Sequence, residues 1–93
     1  MNKKDYIKLG YICPKLSKNE TIRNWKKYGL VDNYDLIYDR LVKSKNCEIC
    51  LTKYKLRIDG ALNRVMEHCH ISGYCRSICC TSCNNKNEGI WVI

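Results

Sequence analysis

Two pairs of cysteines with the spacing C-x-x-C constrain this chain more than any other feature. Cys47 and Cys50 form the first pair, and Cys80 and Cys83 form the second. Each pair lets two thiolates bind one ion from a tight turn, and two pairs complete the tetrahedral coordination typical of structural zinc. We therefore predict one structural Zn²⁺ bound by these four thiolates.

Other uses of eight cysteines in 93 residues fit less well. A redox C-x-x-C is typical of alternating strands and helices, which this sequence lacks. A disulfide scaffold, which remains an alternative, needs an oxidising compartment, whereas the start MNKKDYIKLGYICPKL has no apolar stretch of the secretory type. We therefore expect an intracellular, reducing compartment and no secretion. His68 or His70 remains an alternative zinc ligand, and we expect free, buried thiols at Cys13, Cys69, Cys75 and Cys79.

The charge balance indicates a polyanionic partner. The chain has 17 Lys and Arg against 9 Asp and Glu, a net charge of +8, which suits nucleic acid or an anionic membrane surface. No apolar run is long enough to span a bilayer. Residues 1–46 hold 11 basic and 5 acidic residues, and residues 47–93 hold 6 and 4. This division predicts a basic helical arm, 1–46, and a metal-bound core, 47–93.

Two helices are readable in the arm. Ser17 and Glu20 have the spacing of a capping box, and Gly29 suits the left-handed position after a helix. A second helix is expected after Asp32 as its N-cap. Apolar side chains recur at helical spacing through this region and predict a face packed on the cysteine core, namely Leu30, Tyr34, Ile37, Tyr38 and Leu41.

Beyond Cys47 the sequence favours short strands and turns. Residues 51–58 alternate loosely between apolar and polar side chains, as in a strand on which 62–66 could pair back, and the dipeptides at 59–60 and 72–73 are typical of turns. The remaining expectations are strands over 62–66 and 76–79 and a last helix starting at 84–88.

Both histidines of the chain lie in the stretch Glu67-His68-Cys69-His70, within a gap of 29 residues between the cysteine pairs. If this stretch is extended, Glu67 and Cys69 face one side and the histidines the other. Histidine is the natural base for activating water at neutral pH, and a carboxylate can hold a hard cation. The combination suits phosphodiester hydrolysis, although a surface strand with ordinary histidines remains open at this point.

The second half as a whole resembles a known family. CEIC, then MEHCHISGYCRSICCTSCNN and a glycine soon after, resemble the recombination endonuclease VII family of His-Me finger (HNH-type) nucleases. Those proteins have a C-x-x-C, an Asp-His-x-His stretch, a Gly-x-x-Arg turn, and a C-x-x-C followed directly by Asn. The likeness covers about residues 25–90, including WKKYGL.

The resemblance implies an α+β fold in which a zinc-bound ββα-metal core follows the N-terminal helical arm. It implies that His68 is the general base and that Glu67 and Asn84 hold a catalytic Mg²⁺ or Mn²⁺. His70 would support phosphate or leaving-group chemistry, and Arg76 would contact a phosphate. The structural zinc ligands would be Cys47, Cys50, Cys80 and Cys83.

Three positions differ from the family pattern. Glu67 stands where the family usually has Asp, and Cys69 replaces a second acidic residue. The chain ends at Ile93, before the long helices on which endonuclease VII dimerises. The expectation is therefore a monomer or a dimer, and a nicking or cutting enzyme of mobile-element or homing type is as consistent with the pattern as a resolvase.

Together these features predict a metal-dependent endonuclease that hydrolyses DNA. Basic residues of the arm would contact the DNA backbone without reading its sequence, namely Lys26, Lys27, Arg40, Lys43 and Lys45. A viral or mobile-element origin fits this prediction. The alternatives are a non-catalytic, zinc-stabilised module that binds nucleic acid and a DNA-packaging protein.

Overall fold

The computed structural model describes residues 2–58 and 60–87. Three helices come first, α1 (Lys3–Lys8), α2 (Lys18–Tyr28) and α3 (Tyr34–Lys43), followed by strands β1 (Arg64–His68) and β2 (Cys75–Cys80) and by helix α4 (Thr81–Asn87). The strands form one two-stranded antiparallel sheet. The predicted α+β class is therefore confirmed.

Helix α2 begins and ends at the predicted residues. The Ser17 hydroxyl accepts a hydrogen bond from the backbone N–H of Glu20, at 3.2 Å. Gly29 ends the helix in the left-handed conformation, with φ of 103°. The Glu20 carboxylate accepts a hydrogen bond from the Ser17 hydroxyl, at 3.1 Å, whereas the predicted capping box has this carboxylate accepting from the Ser17 backbone N–H.

The predicted N-cap of α3 was wrong by one residue. Asn33 caps the helix, accepting from the N–H of Leu36 at 3.2 Å. Asp32 instead accepts from the backbone N–H of Cys75 in β2, at 3.0 Å. Asp and Asn are both good N-caps. The hydrogen bond from Cys75 engages the Asp32 carboxylate, so Asn33 caps the helix.

Helix α1 was not expected from the sequence. Asn2 and Asp5 form a reciprocal capping box at its start. Tyr6 is buried against Tyr38, with ring centroids 5.8 Å apart, and its hydroxyl donates to Asp39 at 2.9 Å. One buried tyrosine therefore fixes this short helix to α3.

The predicted strand over 51–58 was also wrong. In the described part of this segment only isolated bridges occur, Asn46 with Lys53 and Leu56 with Leu62. The chain forms its hairpin from β1 and β2, so the two strands expected over 62–66 and 76–79 exist but pair with each other. The expected turn at 72–73 joins them. Of the turn expected at 59–60, residue 59 lies outside the described residues.

A β-bulge interrupts the hairpin. Glu67 pairs with Ser77, but the next residue, His68, pairs with Cys75. Arg76 is therefore the extra residue on β2. A bulge of this kind increases local twist and redirects a side chain.

Helix α4 begins earlier than expected. It starts at Thr81, directly after β2, and continues through Asn84. Asn84 thus lies one turn inside the helix and not at its start. Residue 88, at the end of the predicted helix, lies outside the described residues.

The hydrophobic core joins the helices to the hairpin. Leu30, Ile37, Tyr38 and Leu41 are buried in one cluster with Cys47, Cys79 and Cys83, and Tyr34 packs against it, so the predicted apolar face is confirmed. Buried residues come from both sides of residue 47. The division into an arm, 1–46, and a core, 47–93, stays a prediction.

Arg64 connects the first strand to the N-terminal half. Its guanidinium donates to the carbonyls of Val42 and Ser44, each at 3.1 Å, and also to that of Ile12. One side chain thus holds the end of α3 and the segment between α1 and α2. In residues 2–58 and 60–87 no helix is long and apolar enough to cross a bilayer.

Candidate metal centre and active site

The four cysteines of the C-x-x-C pairs form one cluster. The sulfur atoms of Cys47, Cys50, Cys80 and Cys83 all lie within 4.8 Å of one another, and those of Cys50 and Cys80 are 3.9 Å apart. Zn–S bonds of about 2.3 Å in a tetrahedron place sulfurs roughly 3.8 Å apart. The cluster therefore fits Zn²⁺ with four thiolates and needs no histidine ligand.

The first C-x-x-C pair has the local geometry of a metal-binding turn. The Cys47 sulfur accepts from the backbone N–H groups of Ile49 and Cys50, both at 3.4 Å. Between the cysteines, Glu48 accepts from Arg40 of α3, at 3.0 Å from Nε, and from the N–H of Ile78 in β2, at 3.1 Å. The turn is thereby attached to a helix and to a strand.

The thiols of the cluster differ in acidity. The pKa of Cys50 is lowered to about 6, mainly by hydrogen bonds from Thr52. Burial raises the pKa of Cys83 to about 12. Crowded thiols cannot hold four negative charges by themselves. A bound divalent cation supplies the positive charge that allows all four to ionise.

The four thiols outside the cluster are free and are buried or half-buried. Cys69 and Cys79 are buried, and Cys13 and Cys75 are half-buried. Burial raises the pKa of Cys79 to about 11, so this thiol is neutral and inert. Cys69 and Cys79 thus match the expectation of small, buried thiols, whereas Cys13 and Cys75 are only half-buried.

The Glu67–His70 stretch alternates as predicted. Glu67 and Cys69 are buried, with 3% and 5% of their surfaces exposed, whereas His68 is half-buried and His70 is exposed. The two imidazole rings lie on the same side, with centroids 4.9 Å apart. One face of β1 therefore presents a carboxylate to the interior, and the other presents the histidines.

The C-terminus of α2 orients His68. Nε2 of His68 lies 3.1 Å from the carbonyl oxygen of Tyr28. A carbonyl can only accept, so Nε2 carries the hydrogen and Nδ1 carries the lone pair. Burial, and then the neighbouring charge of His70, lowers the pKa of His68 below its usual 6.5. The lowered pKa favours the neutral ring at pH 7.

Glu67 has three partners on β2. Its Oε2 accepts from the Ser77 hydroxyl at 3.2 Å and from the Cys79 thiol at 3.7 Å. Its Oε1 forms an ion pair with the guanidinium of Arg76. The carboxylate that the resemblance assigns to a catalytic cation thus carries an arginine counter-ion.

Glu67, His68, His70 and Asn84 all line one cleft of about 610 Å³, although the Glu67 carboxylate lies on the face of β1 opposite the histidines. Asn84 follows Cys83 directly on α4, so the cysteine cluster determines where this amide lies. The α2 side of the cleft includes Trp25 and Tyr28.

Two further parts of the lining were missed by sequence reasoning. Pro14, Lys15 and Leu16 form part of one wall, and the basic residues Arg57 and Arg64 also line the cleft. No local signal in the sequence connects residues 14–16 with histidines more than 50 positions later. Since Glu67 is the one acidic residue of the lining in the described chain, the cleft has a net positive charge that suits a polyanion.

The lysines predicted to contact DNA lie outside the cleft lining. Lys26 is placed over the ring of Tyr34, 4.9 Å from its centroid, and Lys43 pairs with Asp39 at 3.2 Å. Lys27 and Lys45 are exposed. Their role in binding stays a prediction.

Comparison with known families places this site in context. The model of the recombination endonuclease VII family matches residues 20–92, most of the chain. Comparisons with curated proteins and with solved structures found no significant match. The matched span includes the four-cysteine cluster and the residues of the cleft, except the wall at 14–16, and the family supports a nuclease role. This chain belongs to the recombination endonuclease VII family.

Proposed function

We propose that this protein is an HNH-type, metal-dependent endonuclease that hydrolyses DNA phosphodiester bonds, with His68 as general base. The observation that carries the proposal is the orientation of His68, whose Nε2 donates to the Tyr28 carbonyl within a positively charged cleft. Nδ1, which carries the lone pair, is then the atom that takes a proton from water.

The cleft lining includes oxygen donors of the kind that a hard divalent cation prefers. Glu67 offers a carboxylate and Asn84 an amide oxygen, and such ligands suit Mg²⁺ or Mn²⁺. When bound, the cation would neutralise charge on the scissile phosphate and stabilise the leaving oxygen. Glu67 and Asn84 would hold it, and His68 would remain the acceptor of the water proton.

The other charged groups would bind and orient the substrate. His70, 4.9 Å from His68 between ring centroids, would support the phosphate or the leaving group. Lys15 and Arg57 in the cleft lining, with the predicted contacts Arg76, Lys26, Lys27, Lys43 and Lys45, would neutralise backbone phosphates.

Plasmid cleavage tests the proposal. Zinc-loaded protein should nick or cut plasmid with Mg²⁺ or Mn²⁺, and His68→Ala should lower the rate about 10²- to 10⁴-fold, the usual contribution of a general base. The zinc content of the variant should stay at one ion per chain. Unchanged cleavage by His68→Ala would remove His68 from this role.

Two neighbouring asparagines provide a matched pair. Asn84 is half-buried and lines the cleft, whereas Asn85 is exposed on the same helix. Asn84→Ala should raise the metal concentration needed for cleavage, and Asn85→Ala should leave it unchanged. Equal behaviour of the two variants would contradict the assignment of Asn84.

The ion pair between Glu67 and Arg76 favours one second candidate, a zinc-stabilised protein that binds or packages nucleic acid without cutting it. In that case the carboxylate is a structural partner of Arg76. This candidate predicts salt-sensitive DNA binding with no cleavage at any concentration of Mg²⁺ or Mn²⁺.

A further inference from the structure

We propose that Arg76 is a displaceable counter-ion of Glu67. Its guanidinium balances the carboxylate when no divalent cation is bound, and moves to a DNA phosphate when the cation binds. DNA and the cation would then bind cooperatively. This inference rests on the proposed function, because the cation concerned is the one assigned to Glu67 and Asn84.

The burial of Glu67 makes a counter-ion necessary. Only 2% of its side chain is exposed, and its Oε2 is occupied by the Ser77 hydroxyl and the Cys79 thiol. These neutral donors do not cancel a full negative charge, and a buried, uncompensated carboxylate is strongly destabilising. Arg76 supplies the positive charge at the other oxygen, Oε1.

The backbone is built for this contact. Glu67 and Ser77 are register partners, so their side chains share a face of the hairpin. In a regular strand Arg76, next to Ser77, would point to the opposite face. The bulge at Arg76 breaks this alternation and brings its guanidinium to Glu67.

The contact is also exchangeable. The Arg76 side chain is 27% exposed, compared with 2% for Glu67, so the guanidinium can reach solvent or a phosphate without opening the hairpin. Ser77 and Cys79 would remain on Oε2 throughout. A divalent cation and a guanidinium at one oxygen repel each other, so each weakens the binding of the other.

The consequence is a coupling of two binding events. A phosphate that attracts Arg76 removes the competitor of the cation at Glu67, and by linkage the cation favours phosphate binding equally. In the free protein the cation should therefore bind weakly.

The experiment measures Mn²⁺ binding to the zinc-loaded full chain by electron paramagnetic resonance, with and without a short DNA duplex. The His68→Ala background prevents cleavage during the titration. Without DNA, Arg76→Gln should bind Mn²⁺ more tightly, by about fivefold or more, the lower range of typical couplings. DNA should tighten Mn²⁺ binding when Arg76 is present and have a smaller effect in Arg76→Gln.

Arg57→Gln is the matched control, since it also removes one positive charge from the cleft lining. An equal gain in Mn²⁺ affinity from Arg57→Gln would overturn the proposal, because the effect would then be general electrostatics. Unchanged or weaker Mn²⁺ binding in Arg76→Gln would also overturn the proposal. If Arg76→Gln does not fold, Arg76→Lys takes its place. An ammonium lacks the planar fork of arginine, so a smaller gain in Mn²⁺ affinity is expected. No gain in Mn²⁺ affinity would overturn the proposal.

A further variant separates this inference from the proposed function. Glu67→Gln should lose Mn²⁺ binding in every background. Mn²⁺ binding that depends on Glu67 but not on Arg76 overturns the counter-ion proposal and leaves the endonuclease proposal standing. Mn²⁺ binding that survives Glu67→Gln, or that is missing from every form together with cleavage, overturns both.

Discussion

The cysteine cluster and the cleft both gather polar side chains around a small volume, but they differ in the origin of those side chains. The cluster uses two C-x-x-C turns, and all four sulfurs lie within 4.8 Å. The cleft combines residues of α2, β1, α4 and the segment before α2. The cluster therefore depends on local spacing, whereas the cleft depends on how distant segments pack. The cluster also supports the cleft, because Cys83 and Asn84 are adjacent.

The largest expected effect comes from removing a ligand of the cluster. Cys83→Ser should lose zinc and unfold the protein, because zinc binding supplies about 10 kcal/mol or more in small zinc modules, comparable to the whole stability of a domain. Circular dichroism and zinc analysis would measure this loss. Cys13→Ser, at a half-buried thiol outside the cluster, should keep both zinc and fold. A folded, zinc-loaded Cys83→Ser protein would show that the cluster is not the structural centre.

A smaller effect is expected at the junction of α2 and the cleft. Gly29 has φ of 103° and lies next to Tyr28, whose carbonyl orients His68. Gly29→Ala should lower the free energy of unfolding by about 1–2 kcal/mol, the cost of a left-handed conformation with a Cβ, and should also reduce cleavage. Urea denaturation and plasmid assays would measure the two effects.

Gly10→Ala is the control for that variant. Gly10 also has a positive φ, 91°, but a Cβ there would meet nothing within 4 Å. Gly10→Ala should lower the free energy of unfolding by a similar amount and leave cleavage by the folded protein unchanged. If both variants lost cleavage equally, the position of Tyr28 relative to His68 would not matter.

The wall at residues 14–16 gives a still smaller effect. Lys15→Gln should weaken DNA binding and reduce the dependence of log K on log salt concentration by about 1, as expected for one lost phosphate contact. Fluorescence anisotropy over a range of salt concentrations would measure the slope. Lys8→Gln, at the exposed end of α1, should leave the slope unchanged. Equal slopes for both variants would remove the wall from the binding surface.

The smallest effect concerns the two histidines. His70→Gln should raise the pKa of His68 but leave it below 6.5, because burial is the larger cause of the shift and the charge of His70 the next. Titration of the His68 ring by nuclear magnetic resonance, without added Mg²⁺ or Mn²⁺, would measure this. No change in the pKa of His68 would mean that the rings do not interact.

The lowered pKa of His68 also makes the stability of the folded protein depend on pH. The folded protein binds a proton at His68 less tightly than the unfolded chain does, since the folded pKa is lowered. His68 therefore contributes stability above pH 6.5, and this contribution is lost as the pH falls through its folded pKa.

Tertiary contacts decided several features that local patterns could not. Asp32 and Asn33 are equally good caps, and the N–H of Cys75 determined which one begins α3. The bulge gave Arg76 a carboxylate partner, although the resemblance predicts a phosphate contact. Both outcomes arise between residues more than eight positions apart, where no sequence spacing reports proximity.

The sequence alone determined the four ligands of the cysteine cluster, the ends of α2, the apolar face of α3 and the alternation of Glu67 with His68. Each follows from spacing within a few residues, where chain geometry leaves few choices. Only the tertiary structure decided that residues 14–16 line the cleft and that the Tyr28 carbonyl orients His68. Those contacts join segments about 40 or more residues apart, and their position depends on the packing of the whole core.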